Sequence, residues 1–296
     1  MEENIIECKN LTHYYGKRLI YENLNFSVKK GHIRGLLGKN GCGKTTTINI
    51  LNGFLQPRSG ECLIYGESTQ NLSPDTKRRL GYLIEGHIQY SFMNIYQIEK
   101  FYSGFYENWN REAYFELMKR MKILPTQKVS SMSCGQRAQV ALGLILAQDP
   151  DLLILDDFSL GLDPGYRRLF VDHMREYAKA GNKTVFLTSH IIQDMERLID
   201  DVLIMDYNRV LLRGSASEFM EKFHQFTFDL ERDDINLKDE ALTVEADRIK
   251  THYELYTYAS AEEVQATLAA KGLAFSEFKQ VKMTLEDAFI GLTGKY

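Results

Sequence analysis

The stretch Gly38-Lys39-Asn40-Gly41-Cys42-Gly43-Lys44-Thr45 decides the fold. It fits G-x-x-x-x-G-K-[ST], and its flanks supply the context that the pattern needs: residues 33–37 read as a buried strand and Lys44–Leu51 as a helix. Glycines at 38, 41 and 43 let backbone N–H groups turn inward around a phosphate chain, and the helix N-terminus adds a partial positive charge. Lys44 would reach the β- and γ-phosphates as a point charge, and the Thr45 hydroxyl would sit on Mg²⁺. Strand, phosphate loop and helix in that order point to an α/β protein.

Outward from the loop, Leu152-Leu153-Ile154-Leu155-Asp156-Asp157 reads as a second buried strand. It delivers Asp156 at its carboxyl end, where open α/β sheets place their ligands. Residues 164–179 carry a helical pattern and Thr184–Thr188 another apolar strand, so strand and helix alternate as in a largely parallel sheet. Residues 94–121 are aromatic and helix-periodic, which predicts a helical insertion at about 90–150. Residues 4–28 show short alternating segments suited to antiparallel sheet. After Gly214 the composition shifts. Phe226, Phe228 and Leu230, then Tyr253, Leu255 and Thr257, alternate with polar residues. Capping boxes follow at Ser260 with Glu263 and at Thr284 with Asp287; the second opens a helix with Leu285, Ala288, Phe289 and Leu292 on one face. The expected organisation is a nucleotide-binding domain over 1–215 and a small α+β domain over 216–296.

A hydrophobic fraction of 44% and a charged fraction of 26% describe an ordinary globular chain. Lys+Arg 36 against Asp+Glu 40 gives a net charge of −4, so no basic footprint calls for nucleic acid. The longest apolar run, 140–147, is far too short to span a bilayer, and the acidic N-terminus lacks the features of a secretory signal. A cytosolic location is expected. Cys8, Cys42, Cys62 and Cys134 are widely spaced without a C-x-x-C pair, which predicts four free thiols.

With Met132-Ser133-Cys134-Gly135-Gln136 upstream of the second strand and Thr188-Ser189-His190 downstream, the motifs resemble the nucleotide-binding subunit of an ABC transporter over roughly the first 215 residues. The resemblance implies a P-loop NTPase fold: a RecA-like core with an antiparallel β subdomain and an α-helical subdomain. It implies ATP and Mg²⁺ as cofactors. Tyr15 is similar to the aromatic that stacks on adenine, residues 38–46 through Thr46 to the phosphate loop, and Asp156 to the metal-binding aspartate. Asp163 is similar to the aspartate that touches a second cassette, and His190 to the histidine that contacts the γ-phosphate. Ser133, Gly135 and Gln136 lie just before a helix expected at 137–147, whose N-terminus would meet the ATP of the partner cassette. The implied partners are that second cassette, identical or related, and a separately encoded membrane permease. The chain would then sit peripherally on the cytoplasmic face of the inner or plasma membrane, and the ending 283–294 resembles drug- and antibiotic-efflux ATPases.

Three residues depart from that family's pattern. Asp157 stands where a general-base glutamate is usual, one methylene short of the attacking water, which predicts slow hydrolysis. Glu85 replaces the glutamine that touches Mg²⁺, and adds charge near the γ-phosphate. Cys134 replaces a glycine; with Cys42 it would flank one nucleotide, each near a helix N-terminus that activates a thiol. Two other readings stay open: a soluble ABC-type ATPase acting on ribosomes or DNA, and an ATP-gated interaction module with little hydrolysis.

Overall fold

Two long antiparallel strands open the chain, β1 (Asn4–Tyr15) and β2 (Arg18–Lys29). They run for 12 residues each, longer than the segments expected, because register shifts along β1 break the period-2 alternation without ending the pairing. The computed structural model describes residues 3–83, 90–159, 161–231, 237 and 242–294. Within them the chain forms two units, Met1–Arg213 and Gly214–Tyr296.

In the first unit β3 (Ile33–Gly38) leads through the phosphate loop into α1 (Lys44–Leu51). Next come β4 (Ser59–Ile64), β5 (Glu67–Ser68), α2 (Pro74–Arg78) and β6 (Leu80–Leu83). Helices α3 (Ile95–Ser103), α4 (Arg111–Arg120) and α5 (Cys134–Ala147) precede β7 (Leu152–Leu155), α6 (Pro164–Ala180), β8 (Thr184–Thr188), α7 (Ile192–Leu198), β9 (Asp201–Asp206) and β10 (Arg209–Ser215). Two sheets result. One is antiparallel, ordered β2-β1-β4-β5; the other is ordered β10-β9-β3-β8-β7-β6, with β9 to β6 parallel. Strands β7 and β8 are buried at every position, as a sheet covered on both faces requires. The order β3-β8-β7 brings the phosphate loop, Thr188 and Asp156 to the same carboxyl edge.

Cys8 and Cys62 correct the expectation of four free thiols. They are register partners on β1 and β4 with Cα atoms 4.2 Å apart, and they form a disulfide. Only the strand register makes neighbours of residues 54 apart in sequence. The helix expected at 137–147 also starts earlier: Ser133 caps α5 in a capping box with Gln136, so Cys134 and Gly135 lie in its first turn.

The second unit comprises α8 (Ala216–Lys222), β11 (His224–Leu230), β12 (Glu245–Ile249), β13 (His252–Thr257), α9 (Ala261–Ala270), β14 (Phe275–Val281) and α10 (Leu285–Thr293). Its sheet is antiparallel, ordered β12-β13-β11-β14. Phe226, Phe228, Leu230, Tyr253 and Leu255 face its core, and both expected capping boxes form. Among the described residues no helix is long and apolar enough to cross a membrane.

Candidate functional site

The phosphate loop is shaped by its own bonds. Gly43 caps α1 at φ 108°, in the left-handed region, and a Cβ there would stand 2.8 Å from the Tyr21 ring, so only glycine fits. No side chain caps α1, which leaves its first N–H groups for a ligand. Lys44 is buried and donates to Gly38 O at 2.6 Å and Lys39 O at 3.3 Å, holding the ammonium against the loop.

An open depression of about 230 Å³ lies over the loop. Tyr15, Arg18, Ile20, Asn40, Gly41, Gly43, Lys44, Thr45, Thr46 and His190 line it. Tyr15, half exposed on one wall, stands edge-on to His13 with ring centroids 4.9 Å apart, and its hydroxyl accepts from Thr46 Oγ1 at 3.5 Å. A flat aromatic at one end and a ring of N–H donors at the other suit a nucleoside phosphate.

Asp156 and Asp157 do not line this depression. They connect to it through β8: the backbone N–H of His190 donates to Asp157 Oδ1 at 3.2 Å, and His190 Nε2 lies 3.6 Å from Asp157 Oδ2. Thr188 Oγ1 donates to Asp156 Oδ1 at 2.6 Å and accepts from the Asp157 N–H at 3.0 Å. Both carboxylates are buried, and Asp156 Oδ2 has no hydrogen-bond partner among the described residues. Such an orphaned buried carboxylate oxygen suits a cation. No three His, Cys, Asp or Glu side chains among the described residues gather into a metal cage. A cation beside Asp156 would therefore need oxygen ligands of other kinds to complete its shell. Glu85 lies outside the described residues.

Ser133, Gly135, Gln136 and Asp163 are not among the residues lining the depression. The Ser133 hydroxyl accepts from the Gln136 N–H at 3.2 Å, and Gln136 Oε1 accepts from the Ser133 N–H at 3.0 Å. Gly135 packs so closely on the loop before α6 that a Cβ would come within 2.4 Å of Gly161 O. Asp163 precedes α6, exposed and making no side-chain cap. Cys42 overturns one half of the thiol expectation: it is buried, and burial pushes its thiol up in spite of the opposing Lys44 charge. Cys134 is exposed. Sequence reasoning missed Arg18, whose Nη2 donates to Gly41 O at 3.5 Å, and the bridging role of Thr188; the only signal for Arg18 was its place three residues after Tyr15.

Residues 21–159 match the model of the ABC transporter family. Nearly the whole chain is similar to the Nod factor export ATP-binding protein I of Cupriavidus metallidurans, 29% identical over 297 residues with 98% of each chain covered. It is likewise similar to the uncharacterized ABC transporter ATP-binding protein YhcH of Bacillus subtilis, 27% identical over 301 residues, covering 99% of this chain and 97% of that one. Among solved structures, an ATP binding subunit of an ABC transporter superposes with a TM-score of 0.64 at 25% identity, over 73% of this chain and 92% of that chain. A phosphate loop, an aromatic wall and two buried aspartates stand in a chain whose residues 21–159 match the ABC transporter model and whose full length is similar to ABC transporter ATP-binding proteins, which together support an ATP-binding, ATP-hydrolysing cassette of that type.

Proposed function

We propose that this cassette is the motor of an export-type transporter, closing with a second cassette around ATP and driving a separately encoded membrane permease from the cytoplasmic face. The observation that carries the reading is that the site is divided. Tyr15, the phosphate loop and His190 share one depression, while Ser133 and Gly135 sit outside it at the N-terminus of α5, a second helix N-terminus that would serve another chain's nucleotide. In this reading Tyr15 stacks on adenine, residues 38–46 hold the phosphates, His190 meets the γ-phosphate and Asp163 touches the partner cassette. Thr45 and Asp156, joined by Glu85, would hold Mg²⁺, which supplies charge neutralisation between the phosphates when bound. Asp157 orients the attacking water, with His190 beside it.

Export is supported by the full-length likeness to a Nod factor export ATP-binding protein. For the permease, a groove of about 720 Å³ in the first unit, lined by Phe54, Leu72, Leu80, Tyr102, Tyr106 and Leu144 among others, offers an apolar seat for a helix of the membrane subunit. Phe54, Phe92, Phe101 and Phe105 are exposed, as a docking surface requires.

Sedimentation of the purified chain with Mg²⁺ and a nonhydrolysable ATP analogue tests the core of this reading. A dimer that forms only with nucleotide and is lost in Lys44→Ala is expected; a monomer under all conditions would sink it. A second reading, ATP-gated association with little hydrolysis, draws on the short reach of Asp157. It predicts the same dimer without phosphate release.

A further inference from the structure

We infer that Thr188 is a positioning residue for the metal-binding carboxylate and for the water-orienting one together. Thr188 is buried at the end of β8, in register with Leu36 of β3 on one side and one strand from Asp156 on the other. Its single hydroxyl hydrogen goes to Asp156 Oδ1 at 2.6 Å. That bond occupies one carboxylate oxygen and leaves Oδ2, which has no partner among the described residues, as the oxygen that turns to a cation. The same oxygen atom of Thr188 accepts the Asp157 N–H at 3.0 Å. Asp157 needs that anchor, because its backbone sits at φ 47°, a left-handed conformation costly for a non-glycine residue. A single hydroxyl thus sets the orientation of Asp156 and the backbone of Asp157.

The physics parallels outer-shell partners of metal ligands, whose removal typically costs about 10–100-fold in metal affinity or activity. Valine is nearly isosteric with threonine but would leave Asp156 Oδ1 and the Asp157 N–H buried without this partner. Serine keeps the hydroxyl.

The inference rests on the proposed reading of Asp156 as the Mg²⁺ ligand, and the test separates the two. The full chain is held with a nonhydrolysable ATP analogue, and the MgCl2 concentration giving half-maximal protection against thermal unfolding is recorded. Thr188→Val is expected to raise that midpoint by about 10–100-fold. Thr188→Ser should titrate close to the original protein, and Asp156→Asn should be at least as impaired as the valine variant. A purely structural threonine would lower the melting temperature of metal-free Thr188→Val without moving the midpoint, and that result overturns the inference. If Asp156→Asn shifts the midpoint and Thr188→Val does not, the inference alone fails; if neither shifts, the reading of Asp156 fails with it. Should the valine variant not fold, Thr188→Ala, which adds no bulk, makes the same comparison against Thr188→Ser.

Discussion

The backbone N–H of His190 donates to Asp157 Oδ1 at 3.2 Å, while the His190 imidazole Nε2 stands 3.6 Å from the other oxygen of the same carboxylate. The carboxylate is therefore tied back to the segment just after β8, and its short side chain has little freedom to follow a water. Lengthening it restores reach. Asp157→Glu is expected to raise steady-state phosphate release by roughly 10–100-fold, the scale on which misplacement of a catalytic group acts. Asp157→Asn should lose turnover and keep ATP binding. Because the position is buried, an added methylene also risks overpacking, so melting temperature is measured alongside. A folded Asp157→Glu with no gain in turnover shows that reach is not limiting.

The two thiols outside the disulfide should behave oppositely. Cys134 is exposed in the first turn of α5, whereas Cys42 is buried with its thiol pushed up by that burial. A maleimide on the native protein is expected to add one label per chain, at Cys134. Cys42 should stay unlabelled under the same conditions, since its burial excludes the reagent and pushes its thiol up, away from the reactive thiolate. Cys8 and Cys62 should react only after denaturation with a reductant. Peptide mass spectrometry reads all four. If ATPase activity is thiol-sensitive, Cys134→Gly removes the sensitivity and Cys42→Ala does not.

What could be read from the chain alone follows the physics of each element. Strands β7 and β8 are covered on both faces, so their apolar runs stand out, and α1 is announced by the loop that starts it. The boxes at Ser260 and Thr284 are local chemistry, and local chemistry is legible. Ser133 and Gln136 form the same kind of box, but Cys134-Gly135 between them reads as loop, so the sequence pattern puts the start of α5 too late. Other features depend on register between distant strands and leave no local trace. Cys8 meets Cys62 only because β1 pairs with β4, and Thr188 meets Asp156 only because β8 lies beside β7. The left-handed backbone of Asp157 is likewise invisible in an apolar-then-acidic run.

Acid should weaken the fold through two histidines. His13 is buried with neither ring nitrogen hydrogen-bonded among the described residues, and burial lowers its pKa from the ordinary 6.5. His173 is lowered too, by burial first and the Arg120 charge second. A base with a lowered folded pKa binds fewer protons folded than unfolded in the window below 6.5, so its stability contribution is complete above that pH and declines as pH falls. His13→Phe keeps the ring against Tyr15 and removes both orphaned nitrogens. It is expected to flatten part of the acid slope and to add about 1–2 kcal/mol of stability near pH 6. Urea unfolding at pH values on either side of 6.5 measures it; an unchanged slope rules His13 out as a contributor.

Gly135 offers a test of whether donors on α5 serve another chain. A Cβ at this position would lie 2.4 Å from Gly161 O, a backbone atom, so Gly135→Ala must displace either the first turn of α5 or the loop that leads to Asp163. A cost of about 1–3 kcal/mol in stability is expected from such overpacking. The phosphate loop is untouched by the change, because Gly135 does not line its depression. ATP binding by the isolated chain should therefore persist, while nucleotide-driven dimerisation and turnover collapse. Lys44→Ala should lose binding itself. Mixing the two inactive variants then discriminates: a mixed dimer pairs the intact loop of Gly135→Ala with the intact α5 N-terminus of Lys44→Ala, so phosphate release should partly return. If Gly135→Ala weakens ATP binding by the lone chain as strongly as Lys44→Ala does, or if the mixture stays silent while dimers form, the donors of α5 act within their own chain and the divided site is the wrong description.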